Sequence, residues 1–328
     1  MEEGGIIKVH ILRKTAAQQS AARETGLIVI DWGTTNFRAF LLGSDGAVLD
    51  CRSSTAGLLN VPDKNFAGTL RVQVADWLQA GETTIVMCGM VGSRYGWVEA
   101  PYVRCPAGIA DLSAALLRVP FPDAEVWIVP GVETEDADGV PEIMRGEETA
   151  ALGIMQGLQA DSLICFPGSH SKWVRVEGGR IETFSTFMTG EVFAALRRHT
   201  ILSQFIQDDS AEDKHAFRRG VDHAGDGSGL LHRVFAARTL PLKGRITEAS
   251  TGAFLSGLLI GSEVRAVVQG TAEVVLVGAA PLCALYADAI TRCGGRARLI
   301  QSEAAARGLW LLGEAVQARG GKATHATT

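Results

Sequence analysis

Two short turns in this chain have the composition of anion cradles. The first, Asp31-Trp32-Gly33-Thr34-Thr35-Asn36, directly follows the apolar run Leu27–Ile30. Glycine lets the backbone approach an anion closely, successive backbone N–H groups can cradle phosphate oxygens, and Thr34 and Thr35 add hydroxyl donors. Asp31, at the end of the run, has the chemistry to hold Mg²⁺ through water, since that ion keeps most of its hydration shell. The second turn, Pro167-Gly168-Ser169-His170-Ser171, follows another apolar run and ends at Lys172. Either alone reads as readily as a plain hairpin turn, with Asp31 or Lys172 solvated at its lip. Their recurrence in the same setting favours function, because a second phosphate loop facing the first would clamp a polyphosphate.

Three further segments could carry chemistry. Gly278-Ala279-Ala280 joins a strand to a helix; small residues there let a nucleotide lie against the backbone, or serve packing alone. The stretch from Gly89 to Pro106 combines Gly89, Met90, Ser93, Arg94, Trp97 and Tyr102. Arginine offers a planar fork for a carboxylate or phosphate, and aromatic rings offer a wall for a sugar. A purely structural loop is the rival reading. Arg145-Gly146-Glu147-Glu148 opens a helix. A carboxylate there could act as general base, or simply complement the helix N-terminus.

The patterns around these residues say what must position them. Leu27–Ile30, Asn36–Leu42 and the run after the Ser44-Asp45-Gly46 turn read as a three-strand meander. The same grammar returns from Ser162, with turns at 167–171 and at Glu177-Gly178-Gly179, which implies two lobes of like topology. Phe66–Gln79, Glu147–Gln159, Glu191–Arg198, Thr251–Val268, the segment from Pro281 and Glu303–Ala318 read as helices. Thr83–Cys88, Glu125–Val129, Glu273–Val277 and Ala297–Ile300 read as strands, and the polar stretch 207–229 as a loop or flap. This alternation argues for α/β lobes. The expected organisation is a flexible extension over 1–26, an N-terminal lobe over 27–146 with the first phosphate loop and the substrate pocket, and a C-terminal lobe over 147–328 with the second loop and an adenosine site.

Composition narrows the function classes. A chain of 328 residues suits two domains, and 47% hydrophobic residues supply their cores. A net charge of −5 without a basic run argues against a nucleic-acid partner. Six cysteines without a C-x-x-C pair read as buried thiols of a cytoplasmic protein. No apolar run is long enough to span a membrane. No G-x-G-x-x-G follows the first strand, which disfavours a dinucleotide dehydrogenase. Composition leaves a homodimer open.

Taken together, DWGTTNFR, GMVGSRYGWVEAPY, MRGEETAALG, PGSHSKWVRVEGGRIETFSTFMTGE, FLSGLLIGSE and VLVGAAPLCALYADA resemble the actin-like, hexokinase-like ATPase superfamily. Within it, the chain resembles the 2-dehydro-3-deoxygalactonokinase family from about Leu27 to Ala318. The resemblance implies two α/β lobes of ribonuclease H-like topology around a nucleotide cleft. It also implies ATP and Mg²⁺ as cofactors, a small sugar acid as partner, and transfer of the γ-phosphoryl group to the 6-hydroxyl of 2-dehydro-3-deoxygalactonate. Asp31, Gly33, Thr34 and Thr35 would then form the first phosphate loop, with Asp31 at the metal. Gly168, Ser169 and His170 would form the second, and Gly278 and Ala279 would meet adenosine. Gly89, Met90, Ser93, Arg94, Trp97 and Tyr102 would line the substrate pocket. In the related FGGY carbohydrate kinases a Gly-Asp-x-x-Ala segment opens a helix and supplies the base. Gly146-Glu147-Glu148-Thr149-Ala150 stands in that place with Glu for Asp, so Glu147 is the first choice and Glu148 the second. A kinase of another sugar or sugar acid would differ only over 89–106. A non-kinase actin-like ATPase would need neither Glu147 nor Arg94.

Overall fold

The structure, a computed structural model, describes residues 7–8, 26–158, 161–206, 213–225, 227–268, 273–301 and 303–323. The chain divides into two compact units, each discontinuous in sequence. The first unit comprises 9–161, 175–184 and 303–328; the second comprises 1–8, 162–174 and 185–302. The extension expected over 1–26 lies outside the described residues, apart from Gly26 and from Ile7–Lys8, which pair in parallel with Ile300 and Gln301.

The first unit is built on the strand Leu27–Trp32. Its alternation places Ile28, Ile30 and Trp32 on one face, where they pack with Phe66, Leu70, Val74 and Trp77 of the helix Phe66–Gln79. The opposite face, with Leu27, takes the helix Ala304–Ala323, which approaches so closely that a Cβ on Gly313 would fall 2.2 Å from Leu27 Cδ2. Strands lie in the order 48–54, 37–42, 27–32, 84–88, 125–128, 117–119. The first three form an antiparallel meander, and Thr84–Cys88 and Glu125–Ile128 join it in parallel.

The sheet of the second unit repeats this plan in the order 180–187, 171–177, 162–166, 273–277, 296–301, 7–8, the hairpin end 175–184 being counted with the first unit. Leu163 pairs in parallel with Val274, and Val275 with Arg298. Cys165, Trp173, Val274 and Leu276 pack against Phe217, Ile260, Val264, Cys283 and Tyr286 of the helices Lys214–His223, Thr251–Val267 and Ala280–Arg292. Both sheets have the ribonuclease H-like order on which actin-like and hexokinase-like chains are built.

Three features depart from the sequence reading. The stretch 207–229 contains the helix Lys214–His223, capped by Asp213, whose side chain accepts the Ala216 N–H at 2.9 Å. Only Ala216, Phe217, Gly220 and Val221 of this helix are buried, so most of its sequence is polar. Gly220 lets its backbone press on the Thr251–Val267 helix, since a Cβ there would sit 2.1 Å from the Phe254 carbonyl oxygen. Residues 207–212 and 226 are outside the described residues.

Second, the helix Glu147–Met155 belongs to the first unit, and the chain passes to the second at 161/162 rather than 146/147. Glycines explain this. A Cβ on Gly153 would fall 2.0 Å from the Ala304 carbonyl oxygen, and one on Gly308 would fall 1.9 Å from that of Thr149. The helix is therefore in backbone contact with the Ala304–Ala323 helix. Third, the strand 102–104 stands within the 89–106 stretch expected to be loop, in a small sheet with the strands 131–135 and 141–144, which the sequence reading does not assign. This sheet carries the 89–106 segment beside the strand that leads into Arg145.

Candidate active site

In the first unit, parallel strands end together at Asp31 and Cys88, which are register partners. Loops leaving the carboxyl ends of such strands are where α/β sheets bind ligands. Asp31 faces Arg38 across the antiparallel pair, and the Arg38 guanidinium bonds its Oδ2 at 2.5 Å. Both line a cavity of about 610 Å³ with Gly33, Thr35, Asn36 and the Ser53, Ser54 and Thr55 side of the neighbouring strand. The Gly33 N–H closes the turn on the Asn36 carbonyl at 2.9 Å, so the side-chain donors the turn offers an anion come from Thr34 and Thr35. From behind, Leu58 and Leu59 N–H groups donate to the Gly33 and Thr34 carbonyls, and Trp32 Nε1 donates to the Ala56 carbonyl at 2.8 Å. Gly57 makes this strap possible, because a Cβ there would lie 2.2 Å from the Thr35 carbonyl carbon.

Two glycines bring the acidic helix start to Asp31. Gly89, at φ +92°, lies so close that a Cβ would be 2.8 Å from the Trp32 carbonyl oxygen and 3.3 Å from Asp31 Oδ1. Gly146, at φ +113°, abuts Gly89, its Cβ position lying 3.4 Å from the Gly89 Cα. Both backbones occupy a region that favours glycine. Glu147 follows at the first helical position, half-buried.

Glu148 is fully buried and turned back into the helix start. Its Oε2 accepts the Gly146 N–H at 2.6 Å and its Oε1 accepts the Thr149 hydroxyl at 2.8 Å. Burial, with the Glu147 charge adding to it, pushes the Glu148 carboxyl up to about 7. Burial and the charges of Asp31 and Glu148 likewise raise the Cys88 thiol, so the three groups lie within electrostatic reach of one another.

The Glu148 shift has a consequence for stability. The unfolded chain releases this proton near 4.5 and the folded chain near 7, so between those values the folded state binds more protons. Stability from this group is complete below pH 4.5 and is lost as pH rises to 7. Glu148→Gln should keep both hydrogen bonds, accepting from Gly146 and donating to the Thr149 oxygen, while removing the titration. Its urea stability relative to the parent should therefore rise between pH 5 and pH 8, by on the order of 2–3 kcal/mol. A difference independent of pH would refute the shift.

The 89–106 segment is pinned rather than open. Arg145 is buried, donates to the Ala100 carbonyl at 2.8 Å and lies 4.4 Å over the Tyr102 ring. Gly131 leaves room for that ring, its Cβ position lying 2.6 Å from Tyr102 Cδ1. Trp97 stacks on Phe66 and meets Phe121 edge-on, joining the core. Trp97 and Tyr102 are both half-buried, so each ring braces the segment with part of its surface left exposed. Met90, half-buried, opens a short 3-10 turn. The Ser93 hydroxyl is buried without a partner among the described residues, and Arg94 is exposed with no hydrogen bond or ion pair among them.

In the second unit, Gly168 stands before open space, and a Cβ there meets nothing within 4 Å. The start of the helix Thr189–His199 backs the turn. Glu191 N–H donates to the Ser169 carbonyl at 3.0 Å, and a Cβ on Gly190 would be 2.5 Å from the Gly168 carbonyl oxygen. The Glu191 carboxylate also bonds His170 Nε2. Gly278 approaches the same turn, its Cβ position lying 3.6 Å from the Pro167 carbonyl oxygen, and Ala279 caps the following helix. Lys172 turns away into the sheet, with Nζ on Thr186 Oγ1 at 2.9 Å.

The structure thus joins Asp31, Gly89, Gly146 and Glu148 in one unit, and Gly168–His170 with Gly278 in the other. Arg38, Gly57, Gly190 and Glu191 escaped the sequence reading. The only signal for them was their place inside the DWGTTNFR and FMTGE stretches or just after the meander.

Comparison with known proteins gives the same direction. The model of the 2-keto-3-deoxy-galactonokinase family matches residues 31–312. The 2-dehydro-3-deoxygalactonokinase of Escherichia coli (strain K12) is 35% identical over 81% of this chain and 90% of its own length. A candidate 2-dehydro-3-deoxygalactonokinase of Rhizobium meliloti (strain 1021) is 38% identical over 86% of this chain and 97% of its own. A crystal structure of a candidate enzyme of that kind from Sinorhizobium meliloti superposes with a TM-score of 0.81 at 37% identity, covering 89% of this chain and 98% of that one. With the family model and these relatives in agreement over most of its length, the chain belongs to the 2-keto-3-deoxy-galactonokinase family.

Proposed function

We propose that this chain transfers the γ-phosphoryl group of ATP to the 6-hydroxyl of 2-dehydro-3-deoxygalactonate. The observation that carries the reading is the junction of Asp31, Gly89 and the Gly146–Glu147 helix start in the first unit. It sets a carboxylate suited to a metal beside a carboxylate suited to a hydroxyl. A partly exposed carboxylate, 22% accessible, lining a cavity with hydroxyls and Arg38 fits a hydrated Mg²⁺ with its phosphates. Asp31 would hold that ion, which supplies charge neutralisation at the phosphates when bound.

The chain's own groups do the rest. Thr34, Thr35 and Arg38 offer donors to phosphate oxygens at the first turn, and Gly168, Ser169 and His170 do so at the second. Gly278 and Ala279 lie against adenosine. Arg94, exposed beside Ser93, takes the substrate carboxylate. Glu147 orients the acceptor hydroxyl and takes its proton late in transfer, since phosphoryl transfer depends mainly on positioning and charge stabilisation. Glu148, with both oxygens occupied, holds the helix start. Buried free thiols at Cys88, Cys165 and Cys283 suit a reducing cytosol, and no helix among the described residues is long and apolar enough to cross a membrane.

A coupled ADP-release assay over a panel of 2-dehydro-3-deoxy sugar acids tests the substrate. The expected result is the highest kcat/KM for the galactonate derivative. A higher value for another sugar or sugar acid would reassign the substrate, and the 89–106 segment is where the reason would lie.

A further inference from the structure

Glu263 lies in the Thr251–Val267 helix and is 3% exposed, among Trp173, Ile260, Val264, Cys283 and Tyr286 in the core of the second unit. A carboxylate in such surroundings is costly unless donors surround it. Here Trp173 Nε1–H donates to Oε1 at 2.7 Å and Tyr286 O–H to Oε2 at 2.8 Å. The Thr189 and Ser171 hydroxyls also bond it, and Ser171 Oγ lies 2.7 Å from Tyr286 Oη. Burial raises the carboxyl nonetheless. An apolar side chain would fill this core with less penalty, so the carboxylate's value lies in what it orients.

Its partners lie on the elements that adjoin the second-unit turns. Ser171 is the first residue of the strand after Gly168–His170. Thr189 opens the helix whose Gly190 and Glu191 back Gly168 and Ser169. Tyr286 lies on the helix that starts directly after Gly278-Ala279. Four donors converging on one carboxylate fix direction, which apolar packing leaves freer.

We infer that Glu263 is a positioning residue for the nucleotide, setting the Gly168–His170 turn, the Thr189 helix start and the Gly278 turn relative to one another. The inference rests on reading those turns as the phosphate and adenosine loops. It acts through the loops and touches no reacting atom.

Steady-state kinetics on the full chain tests it. Glu263→Leu leaves Trp173, Tyr286 and Ser171 without their acceptor and should raise the KM for Mg·ATP about tenfold, with the KM for the sugar acid unchanged. Glu263→Gln can accept from Trp173 and donate to the Tyr286 oxygen, and should recover most of that loss. Tyr286→Phe removes the Tyr286 donor to Glu263 and its contact with Ser171, leaving Trp173 on the carboxylate, and should raise the KM for Mg·ATP about threefold; it decides the matter if Glu263→Leu does not fold. Gly168→Leu projects into open space and serves as the control on the loop itself. A raised KM for Mg·ATP in Gly168→Leu, with none in the Glu263 or Tyr286 variants, would overturn the positioning role and leave the loop reading standing. An unchanged KM in Gly168→Leu as well would remove both. A fall in melting temperature alone, with kinetics intact, would make Glu263 merely structural.

Discussion

Glu147→Gln is expected to lower kcat by roughly 10²–10⁴-fold, the usual contribution of a positioned general base, while ATP and sugar-acid binding persist. A sugar hydroxyl is a poor nucleophile, and a carboxylate must both orient it and accept its proton. Glu147 stands at the first helical position, half-buried, one residue from the Gly146 that abuts Gly89. Glu148 cannot serve both roles, since its oxygens already accept from Gly146 and Thr149 and it is wholly buried. Glu148→Gln should therefore lose much less turnover. Single-turnover measurements with pre-bound ATP would separate chemistry from binding. The reverse order of damage would move the base to Glu148, and mild loss in both would reduce the segment to a helix start.

Asp31→Asn should cut turnover by roughly 10²–10³-fold at saturating ATP, the range seen when one preorganised charge or donor is lost from a transition state. The fold gives this substitution little reason to unfold the chain. Asparagine can still accept from Arg38, and the strand register with Arg38 and Cys88 is set by backbone bonds. The loss should deepen at limiting Mg²⁺, because the metal's charge matters most as charge develops at the phosphates. ATP binding measured directly should change far less than kcat. Parental turnover in Asp31→Asn at limiting Mg²⁺ would remove the metal role.

Much of the fold was legible because its signals are local. Apolar runs that end in Gly-rich turns disclosed both meanders, and their repetition disclosed the duplicated topology. What escaped depends on contacts distant in sequence. Nothing near Glu147 says that its helix packs on residues 304–308; that follows from Gly153 and Gly308, whose missing side chains admit the opposing backbone. The helix Lys214–His223 shows few buried positions and so reads as loop. The hairpin 131–144 did carry a signal, the Asp138-Gly139 turn between alternating runs, with Gly139 at φ +77°. At the site, residue types pointed to Asp31 and to the Glu pair, but not to which glutamate is buried. Trp97 and Tyr102 have the composition of a sugar wall, and their rings also meet neighbours invisible in sequence, Phe66, Phe121 and Arg145.

The most direct measurement follows the label from ATP carrying a marked γ-phosphoryl group, mixed with the full chain, Mg²⁺ and 2-dehydro-3-deoxygalactonate. The predicted result is one labelled sugar-acid phosphate for each ADP formed, with no turnover when the acid is omitted. ADP and free labelled phosphate in equal amounts, with the acid recovered unphosphorylated, would contradict the kinase reading and leave an ATPase in its place.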